Sequence, residues 1–118
     1  MSYRSDYSTY QIKIDILGVL IENKNLDFVF IEVKNKKIGL KDISQLLGYS
    51  RVVTPIHSLI ISPLWVSEPV KILFETYRRF DILKYFDERN IKVCKWDDDK
   101  EDIDYNYIYP NKPLLDFI

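Results

Sequence analysis

The chain has 118 residues, of which 47% are hydrophobic and 30% charged, and its formal net charge is −1. That length supports one domain with a single core, and the composition is globular rather than disordered or fibrous. No apolar run reaches the roughly 18 residues a membrane helix needs. The single cysteine, Cys94, excludes an internal disulfide or a CxxC zinc site, and the single histidine, His57, argues against a histidine-based metal centre or a catalytic triad.

Residues 1–9 are polar and aromatic without helical period and read as an irregular lead-in with no signal peptide. From Tyr10 to Lys34 the chain reads as two strands joined by a polar turn. Ile12, Ile14, Ile16, Val19 and Leu20 supply a β-branched first run, Phe28 to Val33 a more apolar second one, and Glu22-Asn23-Lys24-Asn25 the turn. A hairpin symmetric about that turn pairs positions that sum to 47, so Ile21 faces Leu26 and Asp15 faces Glu32. Opposed carboxylates repel unless a cation lies between them. Glu32 and Lys34 share a strand face, so Asp15, Glu32 and Lys34 converge as a candidate divalent-metal site with an ammonium beside it.

Asn35 to Gly39 makes a basic turn into a helix over 40–47, with Leu40, Ile43, Leu46 and Leu47 as its buried stripe and Gly48 in the left-handed closing position. Ser50-Arg51 then leads into a fully buried strand over 57–62, ended by Pro63 and expected to pair in parallel with the second strand. His57, at its start, reads as a structural or surface residue. Ser67-Glu68-Pro69 starts a helix expected through Arg79, with Val70, Leu73, Phe74 and Tyr77 inward. Residues 80–89 read as a second helical piece and 91–96 as a strand in which Cys94 is buried.

Charge is unevenly placed. Residues 97–118 hold seven acids against two lysines, which leaves the first 96 residues at +4. A domain over 1–96 is therefore expected, followed by a tail over 97–118 that is first acidic and then apolar. Tyr105, Tyr107, Ile108, Tyr109, Leu114, Leu115, Phe117 and Ile118 are too apolar for a free end, so the tail should pack on the domain or on a partner subunit.

Asp15 with Glu32-Val33-Lys34 resembles the D…(D/E)xK signature of the PD-(D/E)xK nucleases, the restriction-endonuclease-like superfamily. Gln45-Leu46-Leu47-Gly48-Tyr49 is similar to the QxxxY element of its RecB-like branch. The resemblance extends from Tyr10 to Asp97, about three quarters of the chain. It implies an α/β fold, a restriction-endonuclease-like core whose mixed sheet of about four or five strands is flanked by helices. It also implies metal-dependent hydrolysis of DNA phosphodiester bonds. Mg²⁺, or Mn²⁺ in its place, would be held by Asp15, Glu32 and the Val33 carbonyl. Asp15, Glu32, Lys34 and Gln45 would be catalytic, and Lys36, Lys37, Lys41, Tyr49 and Arg51 would contact DNA. The chain departs from the family in lacking a helix ahead of the first strand, where only Asp6 is acidic.

Two other readings stay open. One is a catalytically inactive domain of the same fold that binds nucleic acid or serves assembly. The other is a structural protein whose Asp15, Glu32 and Lys34 form a buried ion cluster. A cytoplasmic location, no membrane association, and a homodimer or larger nuclease assembly complete the expectations.

Overall fold

The computed structural model describes residues 16–22 and 25–110. β1 (Ile16–Glu22) and β2 (Asn25–Val33) form the expected hairpin, and every described pair, from Ile16 with Ile31 to Glu22 with Asn25, sums to 47. β2 then pairs in parallel with β3 (His57–Ser62), and the crossing between them is α1 (Leu40–Val53).

α1 runs past its expected end. Gly48 lies in its interior, and the left-handed closing residue is Thr54 (φ 51°), whose N–H bonds the Ser50 carbonyl at 2.7 Å. Burial explains the extra turn. Leu46 and Ser50 are buried four residues apart, Tyr49 and Val53 pack on the core, and the Ser50 and Ser58 hydroxyls meet at 2.7 Å. That continued stripe outweighs the roughly 1 kcal/mol that glycine costs inside a helix.

β3 has the expected bounds but is not buried on both faces: Ser58, Ile60 and Ser62 are buried, while His57, Leu59 and Ile61 are half-buried. After it, Trp65 takes a left-handed turn (φ 67°), and Val66 bridges Ile38 in parallel. α2 (Glu68–Lys71) starts at the expected capping serine, Ser67, with Pro69 in its first turn. It then widens into a π turn over Ile72–Thr76, closed by the Tyr77 N–H on the Ile72 carbonyl, and the helical path ends before Arg78 (φ 55°). The wider turn rotates Tyr77 outward, so Tyr77 is 67% exposed rather than inward, while Val70 and Phe74 are buried.

The expected helix over 80–89 is replaced by one 3₁₀ turn (Phe80–Leu83) and a short hairpin of β4 (Lys84–Phe86) and β5 (Arg89–Asn90). Here period two wins: Tyr85 is buried between exposed Lys84 and Phe86, and Asp87 turns the chain at φ 47°. Tyr85 Oη donates to the Pro55 carbonyl at 2.7 Å and Arg89 Nη1 to the Thr54 carbonyl at 2.7 Å. The hairpin thus satisfies carbonyls where α1 ends.

β6 (Lys92–Asp97) runs parallel to β3, and β7 (Asp102–Tyr109) returns antiparallel beside it. The described residues form a mixed five-stranded sheet in the order β1-β2-β3-β6-β7, with β2, β3 and β6 parallel. The acidic run is therefore the connection of a hairpin within the sheet. Tyr109 enters the core, its ring centroid 4.8 Å from Trp65 and 4.9 Å from Phe74, while residues 111–118 lie outside the described residues.

The core fills the α1 side of the sheet, where Phe30, Ile60 and Val93 meet Ile43, Leu46, Val70 and Phe74. Among the described residues no helix is long and apolar enough to cross a membrane.

Candidate functional site

The C-terminal end of β2 collects the charge. Strand alternation puts Glu32 and Lys34 on one face, and Lys34 Nζ lies 3.5 Å from Glu32 Oε1. Backbone bonds hold this segment against the next strand. The Lys34 N–H bonds the Ile61 carbonyl at 2.8 Å, Ser62 Oγ donates to the Lys36 carbonyl at 2.5 Å, and the Ile38 N–H bonds the Trp65 carbonyl at 2.8 Å. The lysine thus projects from backbone tied to β3 rather than from a loose loop.

A second acid, Asp42, joins the described cluster. It occupies the third position of α1, where Oδ2 accepts the Gly39 N–H at 2.9 Å and Oδ1 lies 3.6 Å from Lys34 Nζ and 3.8 Å from Lys36 Nζ. Its side chain is 9% exposed, against 13% for Glu32 and 23% for Lys34. The described cluster therefore balances two carboxylates with two ammonium groups at the C-terminal edge of the parallel strands, where open α/β sheets place ligand sites. The sequence reading passed over Asp42. Its signal was half of a capping box, an acid three residues after the residue that begins the helix.

Asp15, the other expected ligand, lies outside the described residues. Among the described residues no three His, Cys, Asp or Glu side chains gather closely enough to hold a metal. Glu32 and Val33, the other expected ligands, are oxygen donors of the kind a hard cation takes, and an ion that keeps several waters needs only one or two protein carboxylates. Asp42 fits that role poorly, because its oxygens already serve Gly39 and the two lysines.

Gln45 is exposed on α1, and Tyr49, one turn on, is half-buried against the core. Lys36, Lys37 and Lys41 are exposed around the start of α1. Arg51 is exposed as well, but ten residues further along the helix and so about 15 Å from Lys41. Of the three lysines Lys36 meets the cluster, 3.8 Å from Asp42, while Lys37 and Lys41 are exposed near it in the chain and Arg51 lies apart.

Among the described residues the other titratable groups do not build a second centre. His57 is shifted below its ordinary range, first by burial and then by Lys92 and Arg89, so it stays neutral at pH 7. The buried Cys94 thiol is pushed up to about 12 by desolvation, against the opposing pull of Lys92, and is no nucleophile. Burial and its hydrogen bond to Glu75 raise the Tyr109 phenol.

Comparison of the chain with protein-family models, with curated proteins and with solved structures returned no match, so the charged end of β2 stands on its own geometry.

Proposed function

We propose that the chain is a metal-dependent nuclease that hydrolyses DNA phosphodiester bonds, with a restriction-endonuclease-like core. The observation that supports it best is the Lys34 ammonium, 3.5 Å from Glu32 on a strand end braced by β3 and the start of α1. An ammonium beside a carboxylate at a strand terminus is the pairing that phosphoryl chemistry needs: an acid to hold a cation and a fixed charge to meet the phosphate.

In this reading Glu32 and the Val33 carbonyl, with Asp15, would hold Mg²⁺. Bound there, the ion would lower the pKa of a coordinated water and offset charge on the scissile phosphate. Lys34 orients the attacking water or meets the charge that develops on the phosphate oxygens, and Gln45 is its partner in placing that water. Asp42 keeps the lysine from swinging into solvent. Lys36, Lys37 and Lys41 contact flanking phosphates, which sets affinity and register without reading sequence.

A second reading, an inactive domain that binds nucleic acid or serves assembly, is favoured by the charge balance of the described cluster. Among the described residues Glu32 and Asp42 are matched by Lys34 and Lys36.

Calorimetric titration with Mg²⁺ and Mn²⁺, paired with plasmid and single-strand cleavage, separates the two. The nuclease reading expects metal binding and nicking in the wild type, loss of both in Glu32→Ala, and retained metal binding with roughly a hundred- to thousandfold slower cleavage in Lys34→Ala. Oligonucleotide binding without metal binding or cleavage would establish the second reading.

A further inference from the structure

Strand alternation gives the sheet two faces, and the described helices use one of them. Phe30, Ile60 and Val93 meet α1 and α2 in the core, so half-buried Val29, Ile31, Leu59, Ile61 and Trp96 point the other way. Two grooves open along that second face. One, of about 520 Å³, lies over Ile31, Val33, Ile61 and Trp96 where β2 and β3 end. The other, of about 260 Å³, lies over Val29, Leu59, Cys94 and Ile108, toward the start of β3. Both linings are mostly aliphatic or aromatic, and Val33 is 50% exposed. Parallel strands belong to sheets that are covered on both faces. Here β2, β3 and β6 run parallel, and the described residues cover one face with helices and leave these grooves on the other.

We propose that residues 111–118 cross this face as an apolar strap and fill both grooves. The segment lies outside the described residues, and position, reach and composition each select it. It follows Pro110 directly, and Ile108, just ahead of that proline, already lines the smaller groove. Ile108 pairs with Cys94, Cys94 with Ile61 and Ile61 with Val33, so one row of side chains runs straight from β7 to β2. That row spans three strand spacings, roughly 14 Å, and an extended segment of this length reaches roughly 26 Å. Leu114, Leu115, Phe117 and Ile118 bring apolar side chains to an apolar floor, and Asp116 is the segment's one acid.

Other occupants fit less well. Residues 1–9 offer Met1, Tyr3 and Tyr7 among polar and charged neighbours, and they precede β1, at the far edge of the sheet from β7. Residues 10–15 belong to the expected run of β1 itself. A nucleic-acid strand would lay its charged backbone along aliphatic side chains. The inference is independent of the nuclease reading, whose residues Glu32 and Lys34 lie on the α1 side, where Asp42 meets the lysine. It divides the expected tail of residues 97–118 in two, β7 within the sheet and a strap across it.

The test replaces Phe117 with the photo-crosslinking amino acid p-benzoylphenylalanine in the full chain and maps the products by peptide mass spectrometry. We expect intrachain products on residues 29–33, 57–61 and 92–96 at every protein concentration. A second measurement reads tryptophan emission in the double variant Leu115→Asp, Phe117→Asp. Trp96 lines the larger groove and Trp65 is buried in the core, so emission should move to the red, and adding Trp96→Phe should abolish that shift. The urea midpoint of the double variant should fall as well.

Products between copies that grow with concentration would assign the face to a second copy and overturn the proposal. Products on α1 or α2, no products at all, or unchanged Trp96 emission in the folded double variant would overturn it too.

Discussion

Two crossings join the three parallel strands, and they are built in opposite ways. The first, residues 34–56, is one long helix with both ends tied: Asp42 holds the Gly39 N–H at its start, and Tyr85 and Arg89 take the carbonyls of Pro55 and Thr54 after its end. The second, residues 63–91, is broken into a short helix, a π turn, a 3₁₀ turn and a hairpin. The first presents charge at the sheet edge. The second delivers aromatic mass to the core, with Phe74 stacked on Phe80 at 5.7 Å and tilted against Tyr109 at 4.9 Å. A crossing kept regular positions polar groups with little play, whereas one that must place several large rings gives up regularity to do so.

The largest effect is expected from breaking the second crossing at its centre. Phe74 is fully buried, so Phe74→Ala should cost about 3–5 kcal/mol in urea unfolding. A loss under about 1 kcal/mol would mean that the aromatic cluster is an ornament to the fold rather than its closure.

Next comes the first crossing. Asp42→Ala leaves the Gly39 N–H without its acceptor and Lys34 and Lys36 without their shared carboxylate, for about 1–3 kcal/mol. On the proposed nuclease reading, Asp42→Ala also impairs cleavage while Phe74→Ala, assayed under conditions where it is folded, does not. Equal activity losses in the two variants would erase the division of labour.

A smaller change runs the other way. Gly48 is exposed inside α1, and a Cβ added there meets nothing within 4 Å. Gly48→Ala should therefore stabilise by about 0.5–1 kcal/mol, seen as a higher urea midpoint at unchanged slope.

The smallest effect belongs to His57, at the start of the strand that follows the first crossing. Its folded pKa is depressed, so the unfolded chain binds the proton more readily, and stability present above the ordinary value of 6.5 is lost as pH falls through the folded value. The difference in unfolding free energy between wild type and His57→Gln should drift as pH is lowered from 7.5 to 5.5. A pH-independent difference would place the imidazole in a more solvated setting than its neighbours Lys92 and Arg89 imply.

Comparable contrasts separate what could be read from the residues. The β1–β2 register was legible down to the pair, because a polar turn flanked by β-branched runs admits one symmetric pairing, and a slip would move every side chain to the wrong face. β3 was legible in its bounds, since Pro63 stops it, but not in its half-burial, which depends on what covers each face. At the candidate site, the proximity of Glu32 and Lys34 followed from alternation alone. Asp42 did not, because its nearness to Lys34 requires the turn over 35–39 to fold back over the strand end.

The helical reading of 80–89 failed for a related reason. Ile82, Leu83 and Phe86 fit a helix by spacing, yet Tyr85, absent from that stripe, is the residue whose hydroxyl finds a partner 30 positions away at Pro55. The same holds for α1, whose extra turn past Gly48 is supported by the Ser50–Ser58 contact, and for Tyr77, turned outward by a π turn that no local preference announces.

The sequence by itself determined β1, β2, β3 and β6, the hairpin register, the parallel pairing of β2 with β3, and the placing of Glu32 and Lys34 on one face, because all of these follow from periods of two and from turn residues a few positions apart. Tertiary structure alone decided where α1 stops, what the second crossing becomes, that the acidic run closes a hairpin of the sheet, and that Asp42 joins the charged cluster. Each of these rests on contacts between residues distant in the chain, and burial there outweighed a local preference worth about 1 kcal/mol or less per residue.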